Sequence, residues 1–164
     1  MGFMSTLFPF QAALTATHEG AFCLNNLNAL LWIVEVILEL LSGTIGAVFP
    51  PLLLVTGLSA LMLMLLRLVI CVVASVFHLI ACTRDGGAGK AFTDFSLSMQ
   101  GANVLYFYAV LLDIVGLVLL VIVVGFFLIL LALVCEVVAV VIALIVAAKT
   151  SPDTQPLNQG YDKV

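Results

Sequence analysis

Apolar residues run through this chain in long unbroken stretches, and polar residues punctuate them at few places. From Ile114 to Ala148 the one ionisable residue apart from a cysteine is Glu136. That stretch is about 35 residues long, against the ~20 that one helix needs to cross a bilayer. The pattern predicts four hydrophobic helices arranged as two hairpins: an all-α, polytopic integral membrane protein. Open strands are excluded because lipid cannot satisfy their unpaired backbone groups.

The punctuation divides the chain. Residues 1–24 read as an N-terminal lead-in rich in phenylalanine. Residues 25–82 read as the first membrane hairpin, starting after Asn25–Asn28 and breaking at Gly43, Gly46, Pro50 and Pro51. Residues 83–101, "TRDGGAGKAFTDFSLSMQG", form the clear polar loop. Residues 102–148 read as the second hairpin, with Gly125 as its candidate break between helices near 103–123 and 127–148. Residues 149–164 form a polar, proline-containing tail.

Composition agrees with the pattern. The chain has 164 residues, 65% of them hydrophobic and 9% charged. A soluble domain is about half apolar and about a quarter charged. Both departures point to lipid as the solvent. Arg84, Lys90, Lys149 and Lys163 lie in the loop and tail, whereas the two predicted turns carry no basic residue. The positive-inside rule then places both termini and the loop in the cytoplasm. The organelle is left open, between an endomembrane and the plasma membrane. The first residues carry no Lys or Arg, so neither a signal peptide nor a transit peptide is expected. Met1-Gly2 with Thr6 fits a loose myristoylation pattern, which the bulky Phe3 weakens.

Polar and small residues recur on one stripe of each helix. Asn28, Trp32, Glu35, Glu39, Ser42 and Gly46 follow a 4-3 spacing, as do Thr56, Ala60, Met64, Arg67, Cys71, Ala74 and His78. Asn103, Tyr106, Val110, Asp113 and Gly116 share a third face. In the last helix Cys135, Ala139, Ala143 and Ala147 recur every four residues, which predicts a helix-packing surface.

Five ionisable residues are expected inside the membrane: Glu35, Glu39, Arg67, Asp113 and Glu136. Each costs about 2.5–3.5 kcal/mol on insertion scales, so each must face the interior or a partner. Counting from the first turn at ~1.5 Å per residue, Glu35 and Arg67 differ in depth by about 6 Å. An arginine side chain spans that, so an Arg67–Glu35 pair is expected, with Glu39 as the alternative partner.

Little chemistry of other kinds is legible. His18 and His78 are far apart and no catalytic motif spacing surrounds either, so no enzyme is expected. "RDGGAGK" lacks the strand and following Ser/Thr of a phosphate loop. The four cysteines form no C-x-x-C pair, so neither cofactor nor metal is expected from spacing. Cys82 is a juxtamembrane candidate for palmitoylation. The net charge of -4 and the absence of a basic patch exclude nucleic acid. In the tail, Tyr161 and Val164 bound a Y-x-x-Φ pattern of the kind read by cytoplasmic adaptors, and the same residues suit a PDZ groove.

The stretch "LVCEVVAVVIALIVAAKTS" (residues 133–151) resembles the last helix of a rotary-ATPase proteolipid, with one glutamate among small apolar residues. The resemblance covers that helix alone and implies proton transport. The glycine ladder of such rings is missing elsewhere. To claudin-like and tetraspanin-like proteins the chain is similar only in its count of helices, since it lacks their cysteine pairs. The expectation is therefore a non-enzymatic accessory or structural subunit of a larger membrane complex. It would dock through its polar and small-residue faces, with lipids and other membrane subunits or copies of itself as partners. Two alternatives are a membrane-shaping hairpin scaffold and an ion or proton conduit using the intramembrane acids.

Overall fold

A computed structural model describes residues 3–45, 48–119 and 123–150. The tail motif of Tyr161 and Val164, and Gly46 of the first stripe, lie outside the described residues. Helix α1 spans Phe3–Leu7 and a short 3-10 turn spans Phe10–Ala12. Four long helices follow: α2 (His18–Ile45), α3 (Pro50–Arg84), α5 (Met99–Val118) and α6 (Val123–Thr150). The four-residue α4 (Lys90–Thr93) lies in the loop between the hairpins. No strand occurs among the described residues. All four long helices are long and apolar enough to cross a bilayer. The protein is an all-α, multi-pass integral membrane protein.

Three boundaries differ from the sequence reading. Helix α2 begins at His18, not near Asn25. Thr17 caps it, its hydroxyl accepting from the Gly20 amide at 3.1 Å, and Glu19 favours the positive end of the helix dipole. The asparagines that resembled a helix start lie inside α2, where Asn25, Asn26 and Asn28 are all buried. The second break falls between Val118 and Val123, and Gly125 sits within the first turns of α6. Gly125 is there for close approach: a Cβ on it would overlap the Leu119 backbone and the Gly116 carbonyl. Helix α5 starts at Met99 because Ser98 caps it, its hydroxyl accepting from the Gly101 amide at 3.3 Å.

Each hairpin is built on a seam that repeats every seven residues. In α2 the seam is Ala21, Asn28, Glu35 and Ser42; in α3 it is Ala60, Arg67, Ala74 and Ala81. In α5 it is Ala102, Ala109 and Gly116; in α6 it is Gly125, Ala132 and Ala139. Nearly all these positions are buried. A seven-residue period fits the left-handed crossing common in membrane bundles. Small residues dominate because lipid gives apolar side chains no reason to turn inward, so helices associate by close backbone approach and interhelical hydrogen bonds.

Packing within each hairpin far exceeds packing between them. The two hairpins meet chiefly at the end that carries the 85–98 loop. There Asn25 Nδ2 donates to Asn103 Oδ1 at 3.0 Å, and Asn103 Nδ2 donates to the His18 carbonyl at 2.8 Å. Phe22, Ala102, Ile142 and Ala143 form a small buried cluster beside them, with Leu7 of α1 packed against it. Toward the turn end, Leu53, Leu54, Leu58, Val118, Val123 and Phe127 are exposed to what would be lipid.

Candidate functional site

Arg67 stands at the middle of α3 and Glu136 at the middle of α6. An ionisable group at that depth marks a functional position unless it is internally satisfied. Arg67 is satisfied on one side. Its Nη1 donates to Glu35 Oε2 at 2.5 Å, and its Nε donates to Asn28 Oδ1 at 3.1 Å. Both acceptors lie on the α2 seam, two helical turns apart, so one face of α2 grips the guanidinium. Glu136 of the other hairpin reaches Arg67 Nη2 only at 4.0 Å, a long charge contact that crosses between hairpins.

The expected Arg67–Glu35 pair therefore forms, and Glu39 is not its partner. Glu39 is exposed one turn further along α2 and makes no ion pair among the described residues. It lines an open cleft of about 330 Å³ with Glu35, Ser42, Thr56, Ala60 and Met64, between α2 and α3 on the turn side. Asp113 is half-buried on α5 and interacts with Arg67 through space, without a direct ion pair among the described residues. The five expected residues thus divide. Glu35, Arg67 and Glu136 come together, Asp113 stands near, and Glu39 faces outward.

Ala139, Ala143 and Ala147 are buried, and Cys135 is half-buried at the end of that stripe. Between α1, α2 and α6 runs an apolar groove of about 350 Å³ that includes Leu7, Trp32, Tyr106, Val137, Val140 and Leu144. Asn26 and Glu136 are polar residues on its wall. The Tyr106 hydroxyl beside it is buried and has no hydrogen-bond partner among the described residues.

A second cluster, at the loop end, was invisible to motif spacing. His18, His78 and Cys82 place one ligand-type atom each within 4.8 Å of the others. His18 opens α2, whereas His78 and Cys82 share a face of α3 one turn apart. Asp85 holds His18 through Nε2 at 3.1 Å, and the Ala91 carbonyl of α4 stands 3.3 Å from His78 Nε2. The His78-x-x-x-Cys82 spacing was the readable half of this signal. The missing half, His18, comes from another helix.

No protein-family model, curated relative or solved structure matches the chain.

Proposed function

We propose that this protein is a non-enzymatic subunit of a larger membrane assembly, docking through the turn-side half of its first hairpin. The observation that carries the reading is Glu39. It is an exposed acid on the polar stripe of α2, and it lines an open cleft with Glu35 and Ser42, while Ile33, Ile37, Leu40 and Leu41 clothe the opposite face of the helix. An acid left unpaired at membrane depth costs about 2.5–3.5 kcal/mol, and a basic residue on a neighbouring helix offsets that cost. The occupant that fits is a helix of another membrane protein, small-faced enough to approach Ala60 and Ser42 and carrying a lysine or arginine opposite Glu39.

Gentle detergent extraction of a tagged copy, followed by mass and composition, tests this. The expected result is a stable hetero-complex that Glu39→Gln weakens while helix content is unchanged. A monomer or a pure homo-oligomer would overturn it.

The midplane position of Arg67 and Glu136 favours a second reading, a proton conduit. It requires flux through purified protein in liposomes that Glu136→Gln abolishes. On orientation, the basic loop and tail support a cytoplasmic placement of both termini. Cysteines introduced at Val48 and Leu119 should then label from the opposite side to one at Gly87. Labelling of all three from one side would instead support a re-entrant, membrane-shaping hairpin.

A further inference from the structure

The loop-end cluster does not depend on the docking reading. We propose that His18, His78 and Cys82 bind a zinc ion at the membrane interface, with two imidazole nitrogens and one thiolate as ligands and a fourth position left for water.

Hydrogen bonding sets the tautomers. An ionised carboxylate only accepts, so the Asp85 contact at 3.1 Å puts the proton of neutral His18 on Nε2. A carbonyl oxygen likewise only accepts, so the 3.3 Å contact with Ala91 puts the proton of His78 on Nε2. Both Nδ1 atoms are then bare lone pairs. His18 Nδ1 is buried and has no hydrogen-bond partner among the described residues. A buried acceptor without a donor is costly, and a metal ion supplies the missing acid. Cys82 Sγ lies 3.8 Å from His78 Nδ1 and 3.9 Å from its Nε2, and both residues are fully buried.

The spacing suits zinc. Metal–nitrogen bonds of ~2.0–2.1 Å and a metal–sulfur bond of ~2.3 Å set tetrahedral ligand atoms about 3.3–3.7 Å apart. One ligand atom from each of the three residues lies within 4.8 Å of the others, somewhat wider than that spacing, so the side chains must draw together to hold an ion. Two imidazoles and a thiol suit a borderline-soft ion and disfavour calcium or magnesium, which take oxygen. Asp85 and the Ala91 carbonyl occupy the outer shell, each orienting one imidazole by its far nitrogen, as ligating histidines require. His18, whose side chain is 20% exposed, leaves a route for entry.

On binding, the Cys82 thiol gives its proton to water, sulfur and the two nitrogens donate lone pairs, and no oxidation state changes. The ion would tie the start of α2 to the end of α3 and fix the 85–98 loop across them through Ala91. A ring contact between His78 and Phe107 of α5, with centroids 5.8 Å apart, extends that link to the second hairpin.

The test uses full-length protein in detergent, purified without a polyhistidine tag. Zinc is measured after dialysis, and cobalt(II) serves as the spectroscopic substitute. One equivalent of zinc is expected, together with the intense visible bands of tetrahedral cobalt and a thiolate-to-cobalt charge-transfer band. Cys82→Ser should abolish the charge-transfer band, whereas Cys135→Ser should leave it unchanged. Asp85→Ala should weaken binding about 10–100-fold without removing a ligand. Helix content by circular dichroism shows that each variant is folded. Absence of bound metal in folded protein would overturn the proposal, as would a charge-transfer band that survives Cys82→Ser.

Discussion

Arg67 Nη1 lies 2.5 Å from Glu35 Oε2, with the two side chains 17% and 10% exposed. The pair joins α2 to α3 at the point where their seven-residue seams present a charge in place of a small side chain. Breaking a buried pair from one side leaves an uncompensated charge and costs about 3–5 kcal/mol, whereas replacing both partners by apolar residues is often neutral. Arg67→Met alone should therefore destabilise by about that amount, and Glu35→Leu with Arg67→Met should recover most of the loss. Equilibrium unfolding in mixed micelles measures both. Equal instability in single and double variants would show that the pair is not what holds the seam.

Gly116 and Gly125 meet where α5 turns into α6. A Cβ at Gly125 would strike backbone atoms of Leu119 and Gly116, which cannot yield as a flexible side chain can. Gly125→Ala should lower stability by about 1–3 kcal/mol, the usual cost of overpacking. Gly43, which has nothing within 4 Å of an added Cβ, is the control. Gly43→Ala should be neutral or slightly stabilising in the same thermal melt, since alanine favours the helix by up to ~1 kcal/mol.

Asn103 joins the hairpins by donating to the His18 carbonyl and accepting from Asn25. Interhelical hydrogen bonds in membranes are worth about 0.6–2 kcal/mol. Asn103→Leu should remove both bonds and orphan Asn25 Nδ2, costing about 1–3 kcal/mol. Hydrogen exchange should rise at the loop-end turns of α2 and α5 before it rises at the Arg67 level. Uniform exchange along both helices would argue against a localised joint.

The Tyr106 hydroxyl has no partner among the described residues, and the residue is only 2% exposed. Tyr106→Phe keeps the ring and deletes the orphan oxygen, so it should leave stability unchanged or raise it by about 1–3 kcal/mol. A lower melting temperature would mean that the hydroxyl has a partner in the membrane-embedded protein.

The order of apolar and polar residues determined that this chain lives in lipid, that it is all helix, and that it folds as two hairpins. Length against bilayer thickness and the cost of unpaired backbone leave no other solution. The 4-3 stripes also marked most inward-facing positions, with Glu39 and Met64 as exposed exceptions, and a depth count from one turn was enough to pair Arg67 with Glu35. Both were legible because they depend on position along a helix. Helix ends were less so. Asn25–Asn28 read as a start but serve as interhelical donors and acceptors, and Gly125 read as a break but serves as a contact. A polar or small residue has the same local preference in either role, and only the neighbouring helix decides between them. The same limit hid the meeting of His18 with His78 and Cys82. Their closeness comes from the crossing of α2 over α3 and the fold-back of the loop at Ala91, which is long-range geometry that no spacing within one helix encodes.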